Sequence, residues 1–178
     1  EDIRYDLLAE ARLFHFGYPP LMTRMYADGG HELAEMCQRA KEMGVTTSLD
    51  LAMPDPAGPS GQAGWQRILA RTLPYVDLFL PSVEELLFML RRDRFDQLTA
   101  QAGAANLLDA LAIEEIVSLA EEGLAMGAKI ILLKMGIRGV YLRTATTLSE
   151  LGRGAPTDLA AWTNRQLWAP CFQSDVVV

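Results

Sequence analysis

The sequence predicts an α/β fold, with a mostly parallel sheet layered between helices and an antiparallel edge. Three observations carry that prediction. Short apolar runs alternate with longer stretches of period three to four, in the order β-α-β-α-β-α-β. The run from Gly127 to Gly136 is apolar almost without interruption, as a strand buried on both faces requires. A turn bracketed by Gly136 and Gly139 then leads into an antiparallel partner strand ending at Arg143.

Taken in order, Ile3 to Glu10 reads as the tail of a helix, and Arg12 to Gly17 as a strand stopped by Gly17-Tyr-Pro-Pro20. His15 is an isolated histidine within that strand. Tyr18 lies just past its end, where a side chain faces a ligand more readily. Helix follows from Leu21 to Gly44, broken near Gly29-Gly30. Leu33, Met36, Cys37, Ala40 and Met43 form its core stripe, so these sulfur-bearing residues fill core and are not a metal box. Val45 to Leu51 is the next strand, with Asp50 at its C-terminal end. The Pro- and Gly-rich loop from Pro54 to Gly64 is longer than a minimal connection. Trp65 to Leu73 is helix.

Val76 to Leu80 reads as a short buried strand that Pro81 stops, and a helix begins at once on Ser82. Ser82 is a strong N-cap and Glu85 its third helical residue, which together make a capping box. Such a junction aims N–H groups and the positive end of a helix dipole at the sheet edge where open α/β sheets bind ligands. The plainer alternative is that both residues only cap the helix. The polar stretch Arg91 to Thr99 leads into helical material, clearest from Ile113 to Met126, with Ile113, Ile116, Leu119 and Leu124 inward. Beyond Arg143, Thr144 to Asn164 is loop-like, and Gln166 to Ala169 and Phe172 to Val178 read as short strands.

Half of the 178 residues are apolar, enough for a sizeable core in one domain. A net charge of −7 argues against nucleic acid as a partner, since phosphate contacts need clustered Lys and Arg. Arg91, Arg92 and Arg94, the densest basic group, read as a solvated helix end. Two cysteines without CxxC spacing suit a reduced compartment. No apolar run is long enough to cross a membrane and the N-terminus is no signal peptide, so a cytoplasmic location is expected. The chain starts without Met and ends in three β-branched residues, Val176 to Val178, as a buried strand would. Residues 1–178 therefore read as a single α/β domain, incomplete at both ends.

Several common sites are absent. The sequence has no P-loop, no Gly-x-Gly-x-x-Gly after a strand, no Gly-x-Ser-x-Gly elbow and no zinc-ligand spacing. What remains are three strand ends: Asp50; Ser82 with Glu85; and Lys134 with Gly136 and Gly139. On neighbouring strands of one sheet they would converge on one crevice. A carboxylate such as Glu85 suits a water-bridged Mg2+, and a Gly-x-x-Gly turn lets backbone N–H groups approach a phosphate. Together they suggest phosphoryl transfer, where positioning and charge neutralisation do most of the catalysis.

These same residues carry a resemblance. His15-Phe-Gly17, Gly44 to Asp50, Leu73 to Glu85 and Leu132 to Gly139 resemble the middle of a PfkB-type (ribokinase-like) carbohydrate kinase, with the order of strands and helices in step over nearly the whole chain. The similarity is greatest to members of unassigned substrate. It implies a three-layer α/β/α fold and an ATP-dependent phosphotransferase acting on a sugar hydroxyl with Mg2+. In the family's Asn-x-x-Glu motif Glu85 matches the metal-organising glutamate, while Ser82 replaces the usual asparagine. Lys134-Met-Gly-Ile-Arg-Gly139 matches the Thr-x-Gly-x-x-Gly nucleotide loop, with Lys for Thr, as in ketodeoxygluconate-kinase-like members. That assigns Ser82, Lys134, Gly136 and Gly139 to the nucleotide, and Asp50 to the strand end whose loop approaches substrate and phosphates; Tyr18 joins Asp50 as a substrate candidate by its place just past a strand end.

Two hallmarks of the family are not in the sequence. The glycine-rich N-terminal signature would precede Glu1, and the Gly-Ala-Gly-Asp signature with the catalytic base would follow Val178. No catalytic residue is therefore expected within the chain, and the 178 residues alone are expected to be inactive. A homodimer through lid strands is an open expectation of the family. The alternatives are a non-catalytic nucleotide- or sugar-binding protein of the same fold and a nucleoside or hydroxymethylpyrimidine kinase.

Overall fold

Four short runs of β-branched and aliphatic residues lie side by side in chain order. The computed structural model describes residues 3–102 and 107–172. In it β1 (Leu13–Phe16), β2 (Thr46–Leu49), β3 (Leu78–Phe79) and β4 (Ile130–Lys134) are successive parallel neighbours. β5 (Val140–Thr144) and β6 (Gln166–Ala169) then add antiparallel strands, completing a six-stranded sheet. β3 is shorter than the run Val76 to Leu80, but Asp77 N–H donates to the Thr47 carbonyl and Leu80 N–H to the Leu49 carbonyl, which extends its pairing on both sides. The strand expected over 172–178 lies, from residue 173 onward, outside the described residues.

The connections are the helices that the three-to-four spacing predicted. A one-turn α1 (Thr23–Tyr26) is separated from α2 (His31–Glu42) by left-handed residues at Asp28, Gly29 and Gly30, the expected break. There follow α3 (Trp65–Thr72), α4 (Val83–Leu90), α5 (Arg92–Ala102), α6 (Leu107–Ala110), α7 (Ile113–Ala125) and α8 (Leu159–Trp162). Two ends of the predicted stripes differ: Met43 caps α2 and Ile113 opens α7, and both are exposed because a terminal turn projects past the sheet.

The sheet's two-residue period divides its side chains between two apolar clusters. Leu49, Phe79, Ile131, Leu133 and Tyr141 pack with Leu33 and Met36 of α2, Ile68 and Leu69 of α3, Leu86 and Leu87 of α4, and Ile116 and Leu119 of α7. The strand order never reverses, and all these helices pack into the one cluster on the same face of the sheet. On the other face Ile130 packs with Leu148 and Leu151, flanked by Leu78, Leu142 and Leu159. The third layer is thus the segment between β5 and β6, with α8 as its helix.

That segment, a plain loop by sequence, is tied under the N-terminal edge of the sheet. The Thr46 hydroxyl donates to the Leu151 carbonyl and accepts from Gly154 N–H. Lys41 donates to the Glu150 carbonyl and to Asp77, a fully buried carboxylate. Asp77 also accepts from the backbone N–H of Thr47 at 3.0 Å and from its hydroxyl at 3.2 Å, so its charge is paired and hydrogen-bonded, as burial demands. The Arg91–Arg94 group is no solvated end either. Arg91 bonds Glu122 and Ser118, Arg92 reaches Asp96 and the Gly61 carbonyl, and Arg94 grips Glu115.

Candidate functional site

Parallel neighbours point the same way, so the C-terminal ends of β1 to β4 share one edge of the sheet. Tyr18, Asp50, Ser82 and Lys134 all stand at that edge. Tyr18 follows β1 with its backbone in the left-handed region (φ 62°), an uncommon conformation for a bulky residue, and it is half exposed. The two prolines after it are buried and set the chain's direction. Asp50 follows β2, its N–H donating to the Phe16 carbonyl of β1.

Ser82 forms a parallel bridge with Lys134, placing the start of α4 beside the end of β4. The capping box is made in full: Ser82 N–H donates to Glu85 Oε2 at 2.7 Å, and Glu85 N–H to Ser82 Oγ at 3.1 Å. Glu85 is thereby fixed in the first turn of α4 with one carboxylate oxygen engaged. Lys134 Nζ reaches across β3 to Asp50 Oδ1 at 2.6 Å, joining the strand ends on either side of Ser82. Residues 84 apart in sequence are coupled here, which no local motif could announce.

Beyond Lys134 the chain turns through Gly136–Arg138 in a single 3-10 turn capped by Gly139 and enters β5 at Val140. Both glycines take positive φ, 50° and 87°. Arg138 is drawn away from solvent: it donates to the Leu108 carbonyl and lies over the Trp168 ring of β6, whose Nε1–H donates to the Arg138 carbonyl at 3.0 Å. Ile137, at the turn's apex, is almost fully exposed.

The long loop after Asp50 is built rather than loose. Asp55 N–H donates to Ser60 Oγ at 3.1 Å, and the buried Trp65 indole donates to the Ser60 carbonyl at 2.7 Å. Ser60 and Trp65 thus hold the loop that follows Asp50 in shape, a role their sequence spacing did not signal. His15 lies one strand pitch below the edge and pairs with Ser48, Nδ1 to Oγ 3.0 Å. A groove of about 600 Å3 lies beside β1 and the α1–α2 pair, lined by Phe16, Met22, Met25 and Met36 together with Arg24 and Glu32. Among the described residues no three His, Cys, Asp or Glu side chains cluster to hold a metal, and no helix is long and apolar enough to cross a membrane. A metal here would have to be held mostly by waters and phosphate oxygens, as Mg2+ commonly is, and one carboxylate such as Glu85 fits that donor set.

No family model and no curated protein matches the sequence. Solved structures do. The Arabidopsis thaliana ribokinase complexed with ribose and ATP superposes with a TM-score of 0.57 at 16% identity, over 100% of this chain and 41% of that one. The Xylella fastidiosa fructokinase with bound ATP gives 0.52 at 20% identity, over 80% and 37%. A PfkB protein from Polaromonas sp. JS666 gives 0.50 at 18% identity, over 80% and 40%. The chain therefore spans about two fifths of the length of these structures. At such identities the likeness establishes the fold, ribokinase-like α/β, and leaves the chemistry to the residues at the strand ends.

Proposed function

We propose that this chain, which has the ribokinase-like fold, is the central part of a kinase that transfers the γ-phosphate of ATP to a sugar hydroxyl. The observation that carries the reading is the Lys134–Asp50 pair closed across Ser82, which ties three polar strand ends together at one edge of the sheet. In this reading Lys134, Ser82, Gly136 and Gly139 hold the nucleotide, Tyr18 stands on the acceptor side, and Asp50 stands where substrate and phosphates meet. The ammonium of Lys134 and the positive end of α4 offset phosphate charge, a preorganised arrangement that needs no movement as the bond transfers. Glu85 keeps Oε2 on the Ser82 amide, and its other oxygen would be the one to hold a water of bound Mg2+. Bound Mg2+ supplies neutralisation of the charge on the phosphates. No residue of this chain is assigned as the base that takes the proton of the attacking hydroxyl.

The test is phosphate-ester formation by the complete protein with Mg·ATP and a panel of sugars, nucleosides and hydroxymethylpyrimidine. A sugar phosphate supports the proposal. A phosphorylated nucleoside or pyrimidine moves the substrate class, and binding of ATP without any ester identifies a non-catalytic binder. Glu85→Gln refines the result. Glutamine still accepts from Ser82 N–H, so the capping box survives and stability changes by less than about 1 kcal/mol. Turnover should fall at least about 100-fold, the scale of one lost charge-stabilising group. Unchanged turnover removes Glu85 from the mechanism.

A further inference from the structure

We infer that Asp50 is a positioning residue for the nucleotide side of the crevice: it pins the Lys134 ammonium over the start of α4 and does not itself meet the acceptor. The inference rests on the kinase reading and revises the role of one residue within it.

Three observations carry it. Asp50 Oδ1 accepts both from Lys134 Nζ at 2.6 Å and from the N–H of Leu51 at 2.8 Å. Oδ1 is thus committed twice, and Leu51 is fully buried, so the amide that anchors it and fixes the carboxylate's orientation toward Lys134 is itself fixed. Second, the Asp50 side chain is 17% exposed and that of Lys134 40%, so the ammonium is the member of the pair presented to a ligand. Third, β2 and β4 lie on either side of β3, about 10 Å apart at the usual strand spacing. Lys134 must run extended over the end of β3 to close the contact, which lays it across Pro81 and Ser82.

A lysine free in solvent must freeze several rotatable bonds when it takes a phosphate. Pinned by Asp50, it has lost that freedom beforehand. The opposing effect is the carboxylate's own repulsion of phosphate. The two act with opposite signs, so one substitution separates them.

Calorimetry of Mg·ADP binding to the complete protein provides the test, with Asp50→Asn, Lys134→Met and the double variant. Lys134→Met should weaken binding about 10-fold or more. Asp50→Asn should also weaken it, several-fold, although a negative charge is removed. The double variant should match Lys134→Met, because a residue acting through another adds nothing once that other is gone. In turnover, Asp50→Asn should raise the KM for ATP and leave the KM for the acceptor unchanged. Asp50→Glu, which keeps the charge but moves the ammonium by one methylene, should weaken Mg·ADP as well. Tighter Mg·ADP binding in Asp50→Asn, independent losses in the double variant, or unchanged binding in Asp50→Glu each overturn the inference. A raised acceptor KM with unchanged Mg·ADP binding returns Asp50 to the substrate. Wild-type protein that binds no Mg·ADP overturns the inference and the kinase reading together.

Discussion

Gly136 and Gly139 belong to one turn and are glycine for different reasons. A Cβ on Gly136 would find nothing nearer than Leu108 Cδ1 at 4.0 Å, so Gly136→Ala costs only the left-handed backbone, about 1 kcal/mol. A Cβ on Gly139 would stand 2.0 Å from the Ala169 carbonyl oxygen and 2.8 Å from Cys171 N, both backbone atoms that cannot move aside. Gly139→Ala should therefore cost more than about 3 kcal/mol, or prevent folding. Denaturant melts with Mg·ADP titrations separate the two: Gly136→Ala should lose little stability and weaken binding, whereas Gly139→Ala should already fail in the melt. A tolerated Gly139→Ala would refute the close approach of β6. The spacing Gly-x-x-Gly was legible, and so were the cap at Ser82 and Asp50 at a strand end, because each is a local pattern. The Lys134–Asp50 contact and the seating of Gly139 on β6 were not, because each joins residues far apart in sequence.

At the scale of elements, periodicity placed the helices and strands, while the segment between β5 and β6 offered no period to read. Its order comes from single polar side chains. Arg153 is the clearest: Nε donates to the Ala11 carbonyl at 2.9 Å, Nη1 to Met43 at 2.7 Å and Nη2 to Leu8 at 2.5 Å. Met43 is the C-cap of α2, where a cation also meets the negative end of the helix. Arg153→Ala should lower stability by about 2 kcal/mol, and Arg153→Lys should recover less than half of that, since an ammonium cannot fork to three carbonyls. A urea midpoint unmoved in Arg153→Ala would show that the segment is held without the Arg153 guanidinium. A second tie joins α5 to α7: Arg94 Nε and Nη2 donate to the two oxygens of Glu115 at 2.8 and 3.0 Å. The Arg94 hydrogen bonds hold the Glu115 carboxyl below its usual range, against the opposing effect of burial. A carboxyl depressed in the folded state contributes stability above its unfolded pKa and loses it as pH falls through the folded value. Glu115→Gln should thus be less stable than wild type near neutrality by about 0.5 kcal/mol, and the gap should close in acid, below the ordinary carboxylate range. A gap that stays constant with pH would mean that the pair adds nothing by charge.

For the whole molecule, the alternation of strands and helices was enough to give an α/β sheet with an antiparallel edge, but not the cover on its second face or the state of its outer strands. Those depend on which edges remain unpaired in space. Among the described residues β1 pairs only with β2, and β6 only with β5. Every residue of β6 is exposed, including Leu167 and Trp168, and Phe172 just beyond it is almost wholly so. An unpaired strand with apolar side chains is a template for another strand, and neither edge carries the inward charge or proline that blunts such pairing. The 178-residue chain on its own should therefore self-associate in reducing buffer, where the exposed Cys171 cannot form a disulfide. Light scattering should report masses above 19.6 kDa that rise with concentration. Leu167→Lys places a charge on the β6 edge without touching the core, and should shift the distribution toward monomer. If the unsubstituted chain is monodisperse at 19.6 kDa and melts cooperatively, both edges are protected and the argument from exposed strands fails. If Leu167→Lys leaves association unchanged, the contact runs through the β1 edge, beside the groove of α1 and α2.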